Sequence, residues 1–234
     1  MNRDLLQKGI LQVTFNSPKA KDAQTGLRTL QLDAKRDDLL YVPPAYKTAQ
    51  STPLAVMLHG AGGDAQHGMS LLQPLADAYG IIILAPYARA GTWDIIEQER
   101  FGPDVFFISQ AIQEVVDQYS INIEKVAIGG FSDGASYALS LGLLNGTLFT
   151  HILAFSPGFY YAPELKGQPN IYISHGEHDE VLPIQYCSRR LVPRLQKLGY
   201  AVLYHEFDGP HILPDAVRQE AVNWFLDTRE PAAN

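Results

Sequence analysis

Cysteine is nearly absent from this chain of 234 residues: Cys187 stands alone. No disulfide can form within one chain, and disulfide scaffolds and cysteine-rich zinc modules are excluded. Charge is also sparse, at 18% of residues against a norm of roughly 25%. With 46% hydrophobic residues the composition is nevertheless that of a folded protein, not a disordered one. An excess of cations is lacking as well. Eighteen Lys and Arg against 25 Asp and Glu leave a formal charge of −7, which cannot neutralise phosphates, so nucleic acid and anionic membrane surfaces are disfavoured as partners. No run of 18 apolar residues exists, so no segment is expected to span a membrane. The first residues, Met1-Asn2-Arg3-Asp4-Leu5-Leu6-Gln7-Lys8, carry charges where a secretion signal needs an apolar core. A cytoplasmic protein, monomeric or homodimeric, is the default expectation. A single domain over 1–234 fits this length, and such a chain buries roughly 70–75% of its unfolded surface.

What is present is an alternation. Short apolar runs at Leu54–Leu58, Ile81–Ala85, Val126–Gly130, His151–Phe155, Asn170–Ser174 and Ala201–Glu206 read as strands buried on both faces. Helical patterns lie between and after them at Met69–Tyr79, Asp104–Tyr119, Gly134–Leu144, Ile184–Leu198 and Asp215–Leu226, with Asp104 a candidate N-cap. Before them, Ile10–Phe15, Arg28–Leu32 and Leu39–Val42 suggest an antiparallel edge meander, and Pro43–Pro53 a surface connection. The fold class is α/β: a doubly wound, mostly parallel sheet with an N-terminal antiparallel edge. Ligands in such sheets bind at the carboxyl ends of the strands.

Those ends carry the chemistry. Gly130-Phe131-Ser132-Asp133-Gly134 is a G-x-S-x-G between strand and helix, the pattern of an exposed, strained nucleophile; a glycine turn with a solvated serine is the alternative. Leu58-His59-Gly60-Ala61-Gly62-Gly63-Asp64 frees backbone N–H groups for a developing oxyanion, with Ala61 and Asp133 as the expected donors. No Lys follows these glycines, as a phosphate-binding loop would need, and His59 reads as structural. His175-Gly176-Glu177-His178-Asp179 offers a carboxylate to orient an imidazole; His175, His178 and Asp179 as zinc ligands is the competing reading. Pro210-His211 follows the last strand and supplies that imidazole, with Asp208 the rival acid to Asp179. Serine, acid and histidine then follow in the order Ser132, Asp179, His211, each after a separate strand.

Together these four segments resemble the phospholipase/carboxylesterase family of α/β-hydrolases, small serine esterases without a lid, over roughly Leu54 to Leu226. The resemblance implies Ser132 as nucleophile, Asp179 and His211 as its partners, an Ala61/Asp133 oxyanion hole and a substrate-pocket loop bearing Trp93. It implies no metal and no organic cofactor, and a small-molecule ester as substrate. Asp133 departs from the family, where Gln is common, and the N-terminal meander is long; both bear on substrate choice. The expected activity is hydrolysis of short-to-medium acyl esters through an acyl-enzyme. Thioesters and feruloyl or aryl esters would be cleaved by the same machinery, and a non-catalytic ligand receptor on the same fold is the other class. Cys187 reads as a buried helix residue, and Phe159, Tyr160 and Tyr161 either line a pocket or pack a loop. Between Phe155 and Asn170, Pro157, Gly158, Pro163, Gly167 and Pro169 leave no room for a folded cap.

Overall fold

Each apolar run becomes a strand whose side chains alternate between two hydrophobic layers. The computed structural model describes residues 2–16 and 24–227. Eight strands form one sheet in the order β1-β2-β4-β3-β5-β6-β7-β8: β1 Gly26–Thr29, β2 Leu39–Val42, β3 Thr52–Leu58, β4 Ile82–Ala85, β5 Ile121–Phe131, β6 His151–Phe155, β7 Asn170–Gly176 and β8 Val202–Phe207. β1 and β2 pair antiparallel, β2 joins β4 antiparallel, and every other pairing is parallel. On one face Leu54, Val56, Leu58, Ile128 and Ile152 pack with α5 (Pro103–Gln118), α6 (Asp133–Leu144) and α7 (Ser188–Lys197). On the other, Ala55, Met57, Ile83, Leu153 and Tyr172 meet α2 (Ala65–Ser70), α3 (Gln73–Tyr79) and α8 (Asp215–Leu226). Burial of both faces is why these strands read as continuous apolar runs rather than alternating ones.

Several expectations are corrected. The pattern over Met69–Tyr79 is not one helix. Asp64 caps α2 by accepting the His67 N–H at 2.9 Å, and the chain breaks at Leu72 (φ −127°) before Pro74 opens α3. Pro74 has no N–H to bond the Ser70 carbonyl and its ring would clash with that turn, so one helix cannot run through it and a new one starts with the proline in its first turn. Asp104 is not an N-cap: Gly102 holds that position, Pro103 starts α5, and the Asp104 carboxylate turns inward to accept the N–H groups of Arg89 (2.6 Å) and Asp94 (2.7 Å). Ile10–Phe15 is not a strand. Its backbone finds side chains instead, with Leu11 donating to Asn145 Oδ1 and Gln12 to Ser109 Oγ, each at 2.8 Å. The meander therefore has two strands, β1 and β2. Two four-residue helices, α1 (Arg3–Leu6) and α4 (Asp94–Glu97), complete the elements. Ile184–Cys187 forms turns, so α7 starts at Ser188.

Candidate active site

The turn from β5 into α6 is forced by its neighbours. A Cβ on Gly134 would lie 2.2 Å from the Leu58 carbonyl oxygen, and one on Gly130 would lie 2.5 Å from the Gly134 carbonyl carbon. Only glycine fits either position. Between them Ser132 is held at φ 58°, ψ −120°, a conformation that L residues rarely adopt. Its N–H donates to the Phe155 carbonyl at 2.9 Å, and its carbonyl accepts the N–H groups of Ala135 and Ser136, so the strained residue is pinned from both sides.

The glycine loop after β3 lies against this serine: a Cβ on Gly60 would stand 3.4 Å from Ser132 Cβ. His59 anchors the loop from below. Its Nε2 accepts the Ala88 N–H at 3.1 Å, which fixes the ring proton on Nδ1, and that proton goes to the Gly60 carbonyl at 2.7 Å. Burial lowers the His59 pKa and keeps the ring neutral. Ala61 is exposed at the loop's crest. The Asp133 N–H opens α6 and has no acceptor within the helix, and the positive end of the helix dipole lies there. The Asp133 carboxylate is turned to the Thr92 hydroxyl, which donates to it at 2.7 Å.

The acid loop after β7 and the loop after β8 converge on one another. His211 Nδ1 lies 2.5 Å from Asp179 Oδ2, while Asp179 Oδ1 accepts the N–H groups of Val181 (2.9 Å) and Leu182 (2.7 Å). The Phe131 ring, one residue before Ser132, packs on the His211 imidazole with centroids 4.6 Å apart. Asp208 does not join them. It is exposed and bonded to the exposed His178 at 2.9 Å. His178 thus faces away from His175 and Asp179, which are buried, and among the described residues no group of three or more His, Cys, Asp or Glu is arranged to hold a metal ion.

Trp93 does not reach the site. It is fully buried, stacked on Tyr137 at 5.2 Å and tilted against His59 at 4.7 Å, and its Nε1–H donates to the His59 carbonyl. Its loop instead braces the glycine loop, since the Gly62 N–H also donates to the Gly91 carbonyl at 2.9 Å. Cys187 is buried before α7, and burial pushes its thiol pKa up, away from reactivity. Phe159 and Tyr161 are exposed, and Tyr160 packs on the core.

The model of the phospholipase/carboxylesterase family matches residues 96–228, more than half of the chain. The chain belongs to that family. Its fold is the α/β-hydrolase fold, with no cap inserted between β6 and β7 among the described residues. Proteins similar to this chain include a bifunctional acetylxylan esterase/xylanase of Neocallimastix patriciarum, 27% identical over 157 residues, 65% of this chain and 22% of that protein. An acyl-protein thioesterase 1 of Debaryomyces hansenii is 27% identical over 129 residues, 51% of this chain and 55% of that one. The chain thus spans about a fifth and about half of these two curated relatives. The crystal structure of esterase PE8 superposes with a TM-score of 0.66 at 23% identity, covering 80% of this chain and 98% of that one.

Sequence reasoning missed the buried polar framework behind the site. Asp94 accepts the Tyr137 hydroxyl at 2.9 Å and the N–H groups of Gly102 (2.7 Å) and Asp104 (3.0 Å). Arg89 bonds Asp38 at 2.7 Å beside it. Burial raises the Asp104 pKa to about 7 and that of Asp38 to about 6. Sequence reasoning gave His175 only the competing zinc reading, whereas its ring packs against Asp179: Nδ1 is 2.7 Å from Ser188 Oγ and Nε2 is 2.8 Å from the Leu182 carbonyl.

Proposed function

We propose that this chain is a serine esterase that works through an acyl-enzyme, with Ser132 as nucleophile, His211 as general base and Asp179 as the acid that orients it. The observation that carries this reading is the 2.5 Å bond between His211 Nδ1 and Asp179 Oδ2, made where the imidazole packs on Phe131, the residue that precedes the strained serine in the chain. A carboxylate on Nδ1 leaves Nε2 as the nitrogen free to accept a proton.

His211 Nε2 takes the Ser132 hydroxyl proton as Oγ attacks the ester carbonyl carbon. The N–H groups of Ala61 and Asp133 receive the negative oxygen; losing one such donor typically lowers the rate roughly 10²–10³-fold. The imidazolium then gives its proton to the departing alkoxide, and the alcohol leaves. Water attacks the acyl-enzyme by the same steps in reverse, releasing the acid and restoring Ser132. All the groups assigned come from one chain, read as one domain over 1–234, as a monomer or a homodimer. Trp93 takes a bracing role in this reading, since it is fully buried beneath the glycine loop. The enzyme is inferred to be cytoplasmic and to use no metal or organic cofactor.

The substrates proposed are short-to-medium acyl esters of small molecules. Acyl thioesters are the second reading, favoured by the thioesterase relative, because a thiolate leaves from the same tetrahedral intermediate. Acetyl esters fall within the first reading and match the activity named for the acetylxylan esterase relative. A side-by-side panel of p-nitrophenyl esters of rising acyl length, an acyl thioester and a feruloyl ester tests this. Turnover greatest on short-to-medium oxygen esters is expected. A folded protein that hydrolyses none of them would overturn the proposal.

A further inference from the structure

His175 stands against the same Asp179 carboxylate oxygen that His211 bonds. It is fully buried, as is Ser188, and the catalytic scheme above gives it no task. Its Nε2 faces two oxygens at once: the Leu182 carbonyl at 2.8 Å and Asp179 Oδ2 at 3.2 Å. Its Nδ1 faces only the Ser188 hydroxyl at 2.7 Å.

That arrangement determines the tautomer. Both oxygens around Nε2 are acceptors, so a lone pair on Nε2 would be repelled by each. The proton therefore lies on Nε2, and Nδ1 accepts from the Ser188 hydroxyl, which can serve as a donor. Burial lowers the His175 pKa, in keeping with a neutral ring. The Nε2 proton closes a circuit. It secures the Leu182 carbonyl, while the Leu182 N–H secures Asp179 Oδ1 at 2.7 Å. It also lies beside the Asp179 oxygen that His211 uses.

We propose that His175 is a positioning residue: held in one tautomer by Ser188, it fixes the turn that carries Asp179 and shares the Asp179 oxygen bonded to His211. The inference rests on the proposed Ser132, Asp179 and His211 assignment. Sharing that oxygen has a direction. A second donor on Oδ2 makes the carboxylate a weaker acceptor for the imidazolium of His211. Without it, Asp179 holds the imidazolium more strongly, and His211 gives up its proton at higher pH. The other groups facing this cluster do not offset the change. Cys187, before α7, is a thiol pushed up by burial, with Arg190 acting on it. Glu206, on β8, is paired with Arg189 at 2.6 Å.

The test compares His175→Leu, His175→Gln and Ser188→Ala with the wild type on a p-nitrophenyl ester, reading kcat, KM and the acid limb of the kcat/KM profile, each normalised to folded protein. His175→Leu is expected to lower kcat about tenfold, the worth of roughly one hydrogen bond of about 1–1.5 kcal/mol. KM should stay within about twofold, because no substrate contact is lost. The acid limb should move to higher pH. His175→Gln, whose amide can donate to both oxygens, should restore the limb and most of kcat. Should the leucine variant not fold, nitrogen-15 ring spectra of the wild type and of Ser188→Ala decide: the wild type must show the Nε2–H form, and loss of the serine must weaken that preference. An unmoved acid limb in His175→Leu, Leu and Gln variants that behave alike, or an Nδ1–H ring in the wild type would each overturn the inference. Labelling wild-type Ser132 with a fluorophosphonate separates the two levels of failure. A labelled serine with an indifferent His175 removes only this inference; an unlabelled serine removes the site assignment and this inference with it.

Discussion

If the elbow at Ser132 stores strain, then removing the hydroxyl in two different ways should give two different stabilities. Ser132→Ala keeps a Cβ at φ 58°, ψ −120°, whereas Ser132→Gly removes it. A non-glycine residue in such a region costs about 1–3 kcal/mol. Glycine loses more freedom on folding, which costs about 0.5–1 kcal/mol in return. The glycine variant should thus be the more stable of the two by up to about 2.5 kcal/mol. For a chain of this size 1 kcal/mol moves Tm by roughly 2–4 °C, so the difference is measurable by calorimetry and by urea midpoints at a common slope. Neither variant carries a nucleophile, so catalysis does not confuse the comparison. An alanine variant more stable than the glycine variant would refute the claim that the turn is strained and held by its surroundings.

Asp179→Asn should lower kcat by roughly 10⁴, as loss of the orienting acid does in the best-studied triad, whereas Asp208→Asn should leave kinetics close to wild type because Asp208 pairs with His178 in solvent; paired kinetics with the reverse ranking would contradict the assignment. Burial of His151 against Trp224 and Phe225 depresses its pKa from 6.5 to about 4. The folded state therefore binds fewer protons than the unfolded chain between those values, and this group's contribution is fully present above about pH 6.5 and lost as pH falls toward 4, by up to about 2 kcal/mol after screening. Urea titrations at pH 5 and 7.5 should show that slope, and His151→Leu should flatten it. The segment after β6 is stitched to α6, with Gly158 N–H on Ser136 Oγ and Tyr161 N–H on Ser140 Oγ, each at 2.9 Å. It is not free to open as a flap, so rate should stay hyperbolic as an ester passes its solubility limit, and a jump at that limit would show that a moving cover exists.

The sheet was legible because its strands are buried on both faces, and runs such as Leu54–Leu58 have no other use in a folded chain. Gly130 and Gly134 were legible because the close approach at Leu58 leaves no alternative residue. The break between α2 and α3 was not, since the helical period continues through it and only Pro74 marks it. Nor was the fate of Ile10–Phe15: an alternating run looks like a strand whether its backbone bonds a neighbouring strand or, as here, the side chains of Ser109, Gln113 and Asn145. Trp93, Asp94 and Asp104 were misread or missed for the same reason. Their partners, His59, Tyr137 and the backbone of Arg89, lie 15 to 43 residues away, and such pairings leave no local period. The glycine and histidine signals follow β3, β5, β7 and β8, and parallel pairing alone puts the carboxyl ends of those strands on one side of the sheet. His175 stood in the same motif as Asp179, but sequence does not say which of two histidines packs against the carboxylate.

The central claim is that Ser132 is the nucleophile, and the most direct measurement is intact-mass and peptide mapping after treatment with a fluorophosphonate. One adduct per chain, on the peptide carrying Ser132, with ester hydrolysis lost in proportion to labelling, is the predicted result. Hydrolysis that persists in the fully labelled protein, or is lost with the adduct on another residue, would contradict it.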